Sequence, residues 1–253
     1  MAGAAAGHDA VHAVGAGRHP RRAHRVQRGL QRNVLRVPPF VVSLQPGTRV
    51  IAIVDYDIGN LGAVANMLRR LGADCEITAE RARIEAADRL ILPGNGAFDA
   101  CMHNLRASGL VPVLEAKVRG ERTPLLGICV GAQMLGHGSE EGCEAGLGWL
   151  NLCVKRFPAR PGLRVPHMGW NDVRVEQPAH PLAAGMGEDT RFYFVHSYFL
   201  EPADPADVLF TADYGGRFAA GIAHGNLAGV QFHPEKSHRY GKRLLANFAG
   251  ASL

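Results

Sequence analysis

The sequence predicts an α/β fold: a single three-layer domain in which a mixed, mostly parallel sheet is flanked by helices. From Thr48 onward, apolar strand-like runs alternate with helix-like segments, which is the pattern of parallel strands joined by crossover helices. From Leu150 onward, apolar segments follow one another closely, which indicates antiparallel hairpins. A length of 253 residues with 47% hydrophobic residues is enough for one large core.

The first half of the domain shows strand and helix signals in alternation. The continuous apolar run 50–54 is suited to a central parallel strand, and Asn60 is a candidate N-cap for the helix that follows. Glycines in the segment 93–97 permit positive φ and close backbone approach, which predicts a loop. The predicted elements are strands 50–54, 75–78 and 89–92, helices 61–71 and 100–119, and a fourth strand at 124–128.

The second half of the domain is predicted to be β-rich, with one helix closing the chain. Its predicted strands are 150–157, 170–175, 192–200, 208–213, 218–224 and 227–232, and its helix is 239–248.

The N-terminal segment 1–47 differs in composition from the domain predicted over 48–253. Residues 1–48 carry seven arginines and one acidic residue, so they hold a formal charge of +6 and leave −1 for the remainder. Because the segment lacks an apolar pattern before Leu35, we expect it to be disordered. The leading hypothesis is that the segment is translated from a start codon placed too far upstream. A targeting arm or an RNA-contacting arm is the less favoured explanation. A nearly neutral body does not predict a nucleic-acid-binding domain.

Five cysteines without any C-x-x-C pair predict neither a disulfide framework nor a zinc site, and we expect no metal. A reducing cytoplasmic location fits this cysteine pattern best. The sequence has no apolar run of transmembrane length, so we expect no membrane association.

The segment from Gly127 to Gly131 reads G-x-C-x-G and follows the apolar strand signal at 124–128. Small residues on either side of Cys129 permit a sharp strand-to-helix turn that exposes the sulfur above the sheet. A helix starting near Val130 directs its first N–H groups at the thiol, which favours a thiolate and a developing oxyanion. Cys129 is therefore a candidate nucleophile, although a single cysteine among apolar residues is more often a small buried hydrophobe.

A second motif, His233-Pro234-Glu235, ends the predicted strand 227–232. Residues two apart at a strand end project the same way, so the imidazole and the carboxylate are expected to lie together. A thiolate nucleophile needs such a base to move its proton. His233 alone could be an ordinary loop histidine, but together the two motifs predict a Cys-His-Glu triad.

With both motifs, the sequence resembles the class I (triad) glutamine amidotransferases, and within them the glutaminase subunits of imidazole glycerol phosphate synthase. The resemblance runs from about Val50 to Phe248. Its narrower markers are VDY at 54–56, GNL at 59–61, PGNGAF at 93–98, VPHMGWN at 165–171, YFVHSY at 193–198 and HPEKS at 233–237.

The resemblance implies that Cys129 attacks the side-chain amide of L-glutamine and forms a γ-glutamyl thioester that water hydrolyses to glutamate. His233 would carry the proton and Glu235 would orient the ring. The remaining implied site residues bind substrate. The N–H groups of Val130 and of the turn at Gly94 and Asn95 would hold the oxyanion. The amino-acid end of glutamine would contact Gln133, Glu141 and the backbone of His196, Ser197 and Tyr198. No cofactor is implied.

The resemblance also implies a partner, because ammonia is useful only if a second active site receives it. That partner would be a cyclase subunit with a (β/α)8 barrel, forming a heterodimer, and Trp170 is a candidate interface residue. A half-buried core position for Trp170 is nearly as well supported.

Three alternatives stay open at this stage. The chain could be the glutaminase of another triad amidotransferase, serving anthranilate, guanylate, carbamoyl phosphate or pyridoxal phosphate synthesis, although PHMGWN and YFVHSY argue against this. It could be a non-catalytic regulatory module of the same fold, or a cysteine-based redox protein, although the presence of Cys129, His233 and Glu235 together disfavours both.

Overall fold

The computed structural model of the chain describes residues 49–58 and 60–250. The disorder predicted for 1–47, and the domain start at residue 48, lie outside the described residues, so both stay predictions. Within the described part, no helix combines the length and hydrophobicity that crossing a bilayer requires.

The N-terminal half of the domain forms the parallel part of one large sheet. Strand β1 lies between β2 and β3, β4 lies beside β3, and the late strand β11 pairs parallel with β4. All of these strands except β2 are buried along their whole length and are almost entirely apolar, as expected for strands covered on both faces, whereas β2 is fully buried only at Thr78. Their bounds are β1 Ile51–Val54, β2 Cys75–Thr78, β3 Arg89–Gly94, β4 Leu125–Cys129 and β11 Leu227–Val230.

Helices connect the parallel strands and cover the sheet. The step from β1 to β2 runs in one direction along the sheet, and the steps from β2 to β3 and from β3 to β4 run in the other. Because such crossovers are right-handed, α1 lies on one face and α2 to α4 on the other. The helices are α1 Leu61–Arg70, α2 Arg81–Ala86, α3 Phe98–Ala107, α4 Val111–Glu115 with a π turn at Ala116–Gly120, α5 Val130–Gln133 and α6 His238–Gly250.

The C-terminal half extends the same sheet with antiparallel strands. From β11 the order continues through β10, β9, β6 and β7, and β8 pairs with both β10 and β5. The bounds are β5 Leu152–Arg156, β6 His167–Val175, β7 Arg191–His196, β8 Tyr198–Pro202, β9 Val208–Asp213 and β10 Arg217–His224.

The predicted α/β class and the mixed sheet flanked by helices are confirmed. The expectation of a mostly parallel sheet was wrong for the sheet as a whole. Among the described strands four neighbouring pairs are parallel and six are antiparallel. The reason is that the short hairpin loops of the second half can join only antiparallel neighbours.

Two local predictions needed correction, and one helix was missed. The helix predicted over 100–119 is interrupted, because Gly109 adopts a φ of +69° and Pro112 lies in the first turn of α4, which begins at Val111. The strand predicted over 192–200 is split at Ser197 into β7 and β8, which pair with different neighbours. Helix α2 was not predicted, since its six residues are too few to show a clear periodicity.

Strand order reverses at β1, and the carboxyl ends of β3, β4 and β11 lie side by side at one edge of the sheet. Open α/β sheets bind ligands outside the carboxyl ends of their strands near such a reversal. Cys129 is the last residue of β4, and Asn95 and His233 follow the ends of β3 and β11 by one and three residues. The topology therefore brings three distant parts of the sequence to one place.

Helix α6 packs tightly against the turn that contains His233 and Glu235. A Cβ atom added to Gly241 would lie 1.7 Å from the carbonyl oxygen of Pro234, which is backbone and cannot rotate away. By contrast, a Cβ atom on Gly62 in α1 would meet nothing within 4 Å. The glycine in α6 is therefore required by close approach, whereas the glycine in α1 is not.

We expect Gly241→Ala to lower the free energy of unfolding by about 1–3 kcal/mol, the usual cost of overpacking a tight site. The matched control Gly62→Ala is expected to leave stability unchanged or raise it by up to about 1 kcal/mol, because alanine favours helix more than glycine does. Urea denaturation of both variants measures this. Equal stabilities for the two variants would contradict the close approach.

Candidate active site

Cys129 is the last residue of β4 and directly precedes α5, in a strained backbone conformation. Its φ is +55° and its ψ is −116°, a region that residues with a side chain rarely occupy. Such strain persists only where the surrounding structure enforces it, and it is common at functional sites. The side chain is buried, and α5 begins at Val130 as predicted, although it is only four residues long.

Two glycines allow the turn at Cys129 to pack against the end of β3. Gly94 pairs with Cys129 across the sheet, and a Cβ on Gly94 would lie 2.2 Å from the backbone nitrogen of Gly131. A Cβ on Gly131 would lie 1.9 Å from the carbonyl oxygen of Leu92. The backbone that follows Gly94 is therefore held directly beside the nucleophile candidate.

His233 and Glu235 form a buried pair. Glu235 Oε1 lies 2.8 Å from His233 Nδ1, and both side chains are about 5% exposed or less. The route differs from the prediction, because β11 ends at Val230 and Glu235 lies in a 3-10 turn over Pro234–Lys236. A turn rather than strand alternation thus brings the carboxylate to the ring. Since a carboxylate only accepts, Nδ1 carries a proton and Nε2 is left for chemistry.

The environment of His233 favours the protonated ring. Burial alone lowers its pKa, but interactions with Cys129 and Glu235 outweigh burial and raise the pKa to about 9. Within the described part of the chain, His233 Nε2 has no well-aligned hydrogen bond. The Cys129 thiol therefore lies near the ring without forming a hydrogen bond of good geometry to it. Loose geometry of this kind is common for catalytic pairs before substrate binds.

The backbone of His233 is fixed by neighbours that the sequence did not reveal. Its N–H donates to the carbonyl oxygen of Tyr193 at 2.9 Å, and its own carbonyl accepts from Ser237 Oγ at 2.6 Å. Phe232, just before it, is fully buried and stacks on Phe192 with ring centres 3.7 Å apart. The position of the imidazole thus depends on contacts with β7.

A cleft of about 250 Å³ opens beside Cys129. Its lining includes eight of the eleven residues predicted for catalysis and substrate binding, and three that were not predicted. The predicted lining residues are Asn95, Cys129, Val130, Gln133, Glu141, His196, Ser197 and Tyr198, and the others are Gly96, Pro166 and Val195. Three predicted residues lie outside the lining. Gly94 is the last residue of β3 and pairs with Cys129, and His233 and Glu235 form the buried pair.

Gln133 lies one helical turn beyond Cys129 and is buried on the wall of the cleft. Its Nε2 donates to the carbonyl oxygen of Tyr198 at 3.3 Å and to Gln231 Oε1 at 3.0 Å. Both N–H groups are therefore used within the protein, and what Gln133 can offer a ligand is its carbonyl oxygen. Gln231 was not predicted, yet it is fully buried and its Nε2 lies 3.8 Å from Cys129 Sγ.

Glu141 reaches the cleft from an exposed turn. Its Oε2 accepts a hydrogen bond of 2.9 Å from the N–H of Phe98, the first residue of α3. Next to it, the carboxylate of Asp99 accepts from the N–H groups of Cys143 and Glu144. These bonds tie the turn to the start of α3, so an anionic group is held in place at the mouth of the cleft.

The loop that contains Asn95 is held in place by two buried side chains that contact its carbonyl groups. The hydroxyl of Tyr56 donates to the carbonyl oxygen of Pro93, and Cys101 Sγ lies 3.5 Å from the carbonyl oxygen of Asn95. Burial raises the pKa of Cys101 to about 11, so this thiol keeps its proton and can donate. Neither residue was predicted, because nothing near them in the sequence signals a contact with this loop.

Trp170 lies on β6 with 43% of its surface exposed, next to Met168 at 61%. The indole stacks on the ring of His238 at 5.5 Å and 6°, at the start of α6. Met168 and Trp170 are two residues apart on β6, so their side chains lie on the same face of the strand. Trp170 is therefore exposed and does not occupy a half-buried core position. Met168 and Trp170 together form an exposed apolar surface close to the turn of His233.

The domain resembles known proteins in sequence. The family model described as glutamine amidotransferase class-I matches residues 52–251. A protein of Pseudomonas aeruginosa named imidazole glycerol phosphate synthase subunit HisH 2 is 51% identical over 199 residues, covering 79% of this chain and 98% of that protein. A protein of the same name from Methanococcus maripaludis is 44% identical, with the same two coverages.

Solved structures agree at the level of the fold. A structure described as glutamine amidotransferase has a TM-score of 0.60 at 23% identity, covering 79% of this chain and 99% of that one. PurLQS from Thermotoga maritima has a TM-score of 0.61 at 20% identity, with coverages of 80% and 98%. The match of the family model over most of the domain and the high identity to full-length relatives show that this chain belongs to the class-I glutamine amidotransferases.

Proposed function

We propose that this chain is the glutaminase subunit of imidazole glycerol phosphate synthase. It hydrolyses L-glutamine to glutamate and ammonia and passes the ammonia to a cyclase subunit in histidine biosynthesis. The observation that carries the proposal is the convergence of Cys129, His233 and Glu235 at the carboxyl ends of neighbouring strands, beside a cleft of amino-acid size. Relatives that are 44% to 51% identical over almost their full length are named as this subunit.

Acylation begins when the sulfur of Cys129 attacks the carbonyl carbon of the glutamine side chain. His233, held by Glu235 with its pKa raised to about 9, already holds the proton taken from the thiol and gives it to the departing nitrogen. The C–N bond breaks, ammonia leaves, and a γ-glutamyl thioester remains on Cys129. Glu235 stabilises the imidazolium and keeps Nε2 directed at the sulfur.

The negative charge on the carbonyl oxygen needs donors that are already in place. The N–H of Val130, at the start of α5, and N–H groups of the turn at Gly94 and Asn95 are proposed to supply them. Their support is positional, since Gly94 pairs with Cys129 and the turn follows directly. Tyr56 and Cys101 hold the carbonyl groups of this turn from the other side.

Deacylation uses the same groups in reverse. Water enters the position that ammonia left, and His233 removes its proton as the oxygen attacks the thioester carbonyl. The C–S bond breaks, the proton returns to sulfur, and glutamate leaves. One base thus serves both halves of the reaction. Its Nδ1 stays bonded to Glu235 throughout, while Nε2 is left to gain and lose the proton.

The cleft offers complementary groups to the amino-acid end of glutamine. An α-ammonium group needs acceptors, which Glu141 and the carbonyl oxygen of Gln133 provide at the wall and mouth of the cleft. The α-carboxylate needs donors, which we assign to the backbone of Ser197 and Tyr198. His196 contributes through its backbone and through its ring, which donates to the carbonyl oxygen of Tyr198.

Ammonia production by a synthase subunit requires a partner that uses it. The relatives are named as subunits, which supports a cyclase subunit as partner of this chain. We further propose that this partner is a (β/α)8 barrel and that Trp170, with Met168, contacts it. The exposed apolar pair adjoins α6, which packs on the catalytic turn, so an occupant of this surface lies near the exit from Cys129.

Replacing the nucleophile is expected to abolish turnover. We expect Cys129→Ala to reduce glutamate release from L-glutamine by at least about 1,000-fold, because no other group can form the acyl intermediate. The control Cys153→Ala changes an exposed cysteine in β5 and is expected to retain full activity. Release is measured with and without the cyclase subunit, and substantial release by Cys129→Ala would refute the assigned chemistry.

The protonation of His233 is expected to reflect its two neighbours. In the wild-type chain its imidazole should titrate near pH 9, well above the ordinary value of about 6.5. Glu235→Gln and Cys129→Ala should each lower the pKa, because each removes an interaction that favours the charged ring. NMR titration of nitrogen-15-labelled imidazoles measures all three proteins, and a wild-type pKa at or below 6.5 would contradict the described pair.

Trp170→Ala is expected to weaken binding of the cyclase subunit by at least about 10-fold, since a large aromatic anchor at an interface often contributes 2 kcal/mol or more. The control Arg83→Ala changes an exposed residue of α2, which lies towards the opposite end of the sheet. Calorimetric titration of each variant with the cyclase subunit measures the Kd. A Kd unchanged by Trp170→Ala would remove this surface from the interface.

A further inference from the structure

Two histidines face each other across neighbouring strands behind the glutamine cleft. His167 of β6 and His196 of β7 are register partners, and both are buried. His167 Nδ1 lies 2.9 Å from His196 Nε2, and His196 Nδ1 lies 2.7 Å from the carbonyl oxygen of Tyr198. His196 and Tyr198 line the cleft, whereas His167 lies behind them.

The chain of bonds determines where every proton lies. A carbonyl oxygen only accepts, so His196 carries its proton on Nδ1 and must accept at Nε2. His167 therefore carries its proton on Nδ1 and accepts at Nε2, where Asn171 Nδ2 lies 3.3 Å away. Asn171 is oriented in turn, since its Nδ2 also donates to the carbonyl oxygen of Asp213 and its Oδ1 accepts from the N–H of Asp172.

Both rings are held neutral, which this arrangement requires. Burial lowers the pKa of His167 to about 4, and burial, with a smaller effect of the neighbouring His167 and His233 rings, lowers that of His196 to about 3. If His196 gained a proton at Nε2, two donors would face each other at the 2.9 Å contact. If His167 gained one at Nε2, that N–H would face the donating Nδ2 of Asn171 at 3.3 Å. The tautomers are therefore fixed at neutral pH.

Bonds to the backbone at Ser197 and Tyr198 converge on the corner where β7 ends and β8 begins. The Tyr198 carbonyl accepts from both His196 and Gln133, which uses its two lone pairs. The Ser197 carbonyl accepts from the N–H of Phe157 at 3.1 Å. This corner is the part of the cleft assigned to the amino-acid end of glutamine, so its geometry governs how well substrate fits.

We propose that His167 is a positioning residue for substrate binding, which fixes the ring of His196 and, through it, the Ser197–Tyr198 wall of the glutamine cleft. This inference rests on the proposed function, because it names what holds the substrate end of that site. His167 does not act on the reacting atoms, which lie around Cys129. Its loss therefore affects the binding of glutamine rather than the chemical steps.

Simple packing is the competing explanation for a buried aromatic ring. The His167 ring stacks between Phe194 at 4.7 Å and Tyr214 at 3.9 Å, so its faces are filled by aromatic neighbours. A phenyl ring would keep those contacts and lack both nitrogen atoms. His196 Nε2 would then be a buried acceptor without its donor, and the ring could leave the Tyr198 carbonyl to find another partner.

The test compares glutamine hydrolysis by the full chain, alone and with its cyclase subunit, for His167→Phe, His167→Gln and the wild type. For His167→Phe we expect the KM for L-glutamine to rise about tenfold while kcat changes less than twofold. His167→Gln restores a donor and an acceptor, and its KM is expected to lie closer to the wild-type value. Tyr214→Phe keeps the stack on His167 and is the matched packing control, with an unchanged KM.

An unchanged KM in His167→Phe, a fall in kcat alone, or an equal rise in KM for Tyr214→Phe would each overturn the positioning role. Nitrogen-15 NMR of the wild-type chain gives a second readout that does not depend on activity or on the folding of a variant. It is expected to show protonated Nδ1 on both rings at neutral pH, and a protonated Nε2 on either ring would overturn the arrangement. A wild-type chain that releases no glutamate would instead defeat the proposed function.

Discussion

Close backbone packing between the end of β3 and the turn after β4 is the constraint on which the rest of the site depends. Cys129 can occupy its strained conformation because Gly94 and Gly131 let the two segments approach to distances that any side chain would prevent. The same approach sets the loop of Asn95 beside the sulfur. Parallel pairing of β4 with β11 then places the His233 segment on the other side. The proposed nucleophile, oxyanion donors and base thus follow from three adjacent strand ends.

Burial determines how the charged groups of this site behave. His233 and Glu235 are almost inaccessible to water, so their interaction is weakly screened and the ring favours its protonated form despite the cost of burial. The histidine pair at 167 and 196 shows the opposite outcome, because among the described residues no carboxylate contributes to either pKa and burial lowers both values. One fold therefore holds a charged imidazole for proton transfer in the turn after β11 and two neutral ones for positioning on β6 and β7.

The sequence predicted the parts of this account that rest on local pattern. Apolar runs located the parallel strands, and the G-x-C-x-G and His-Pro-Glu motifs located a nucleophile and a base that the structure brings together. It did not predict Tyr56, Cys101, Gln231 or Ser237, because each acts through a contact with a backbone carbonyl group or with a residue distant in sequence. The break in the helix predicted over 100–119 was signalled by Gly109 and Pro112, but the strong apolar periodicity around them obscured it.

Trapping the acyl intermediate tests whether Cys129 forms a glutaminase centre with His233 and Glu235. The full chain with its cyclase subunit is mixed with L-glutamine, quenched in acid within one turnover, digested and examined by mass spectrometry. We expect a γ-glutamyl adduct on the peptide that contains Cys129, which disappears as glutamate is released. Glutamate release without that adduct, or an adduct confined to another cysteine, would contradict this assignment.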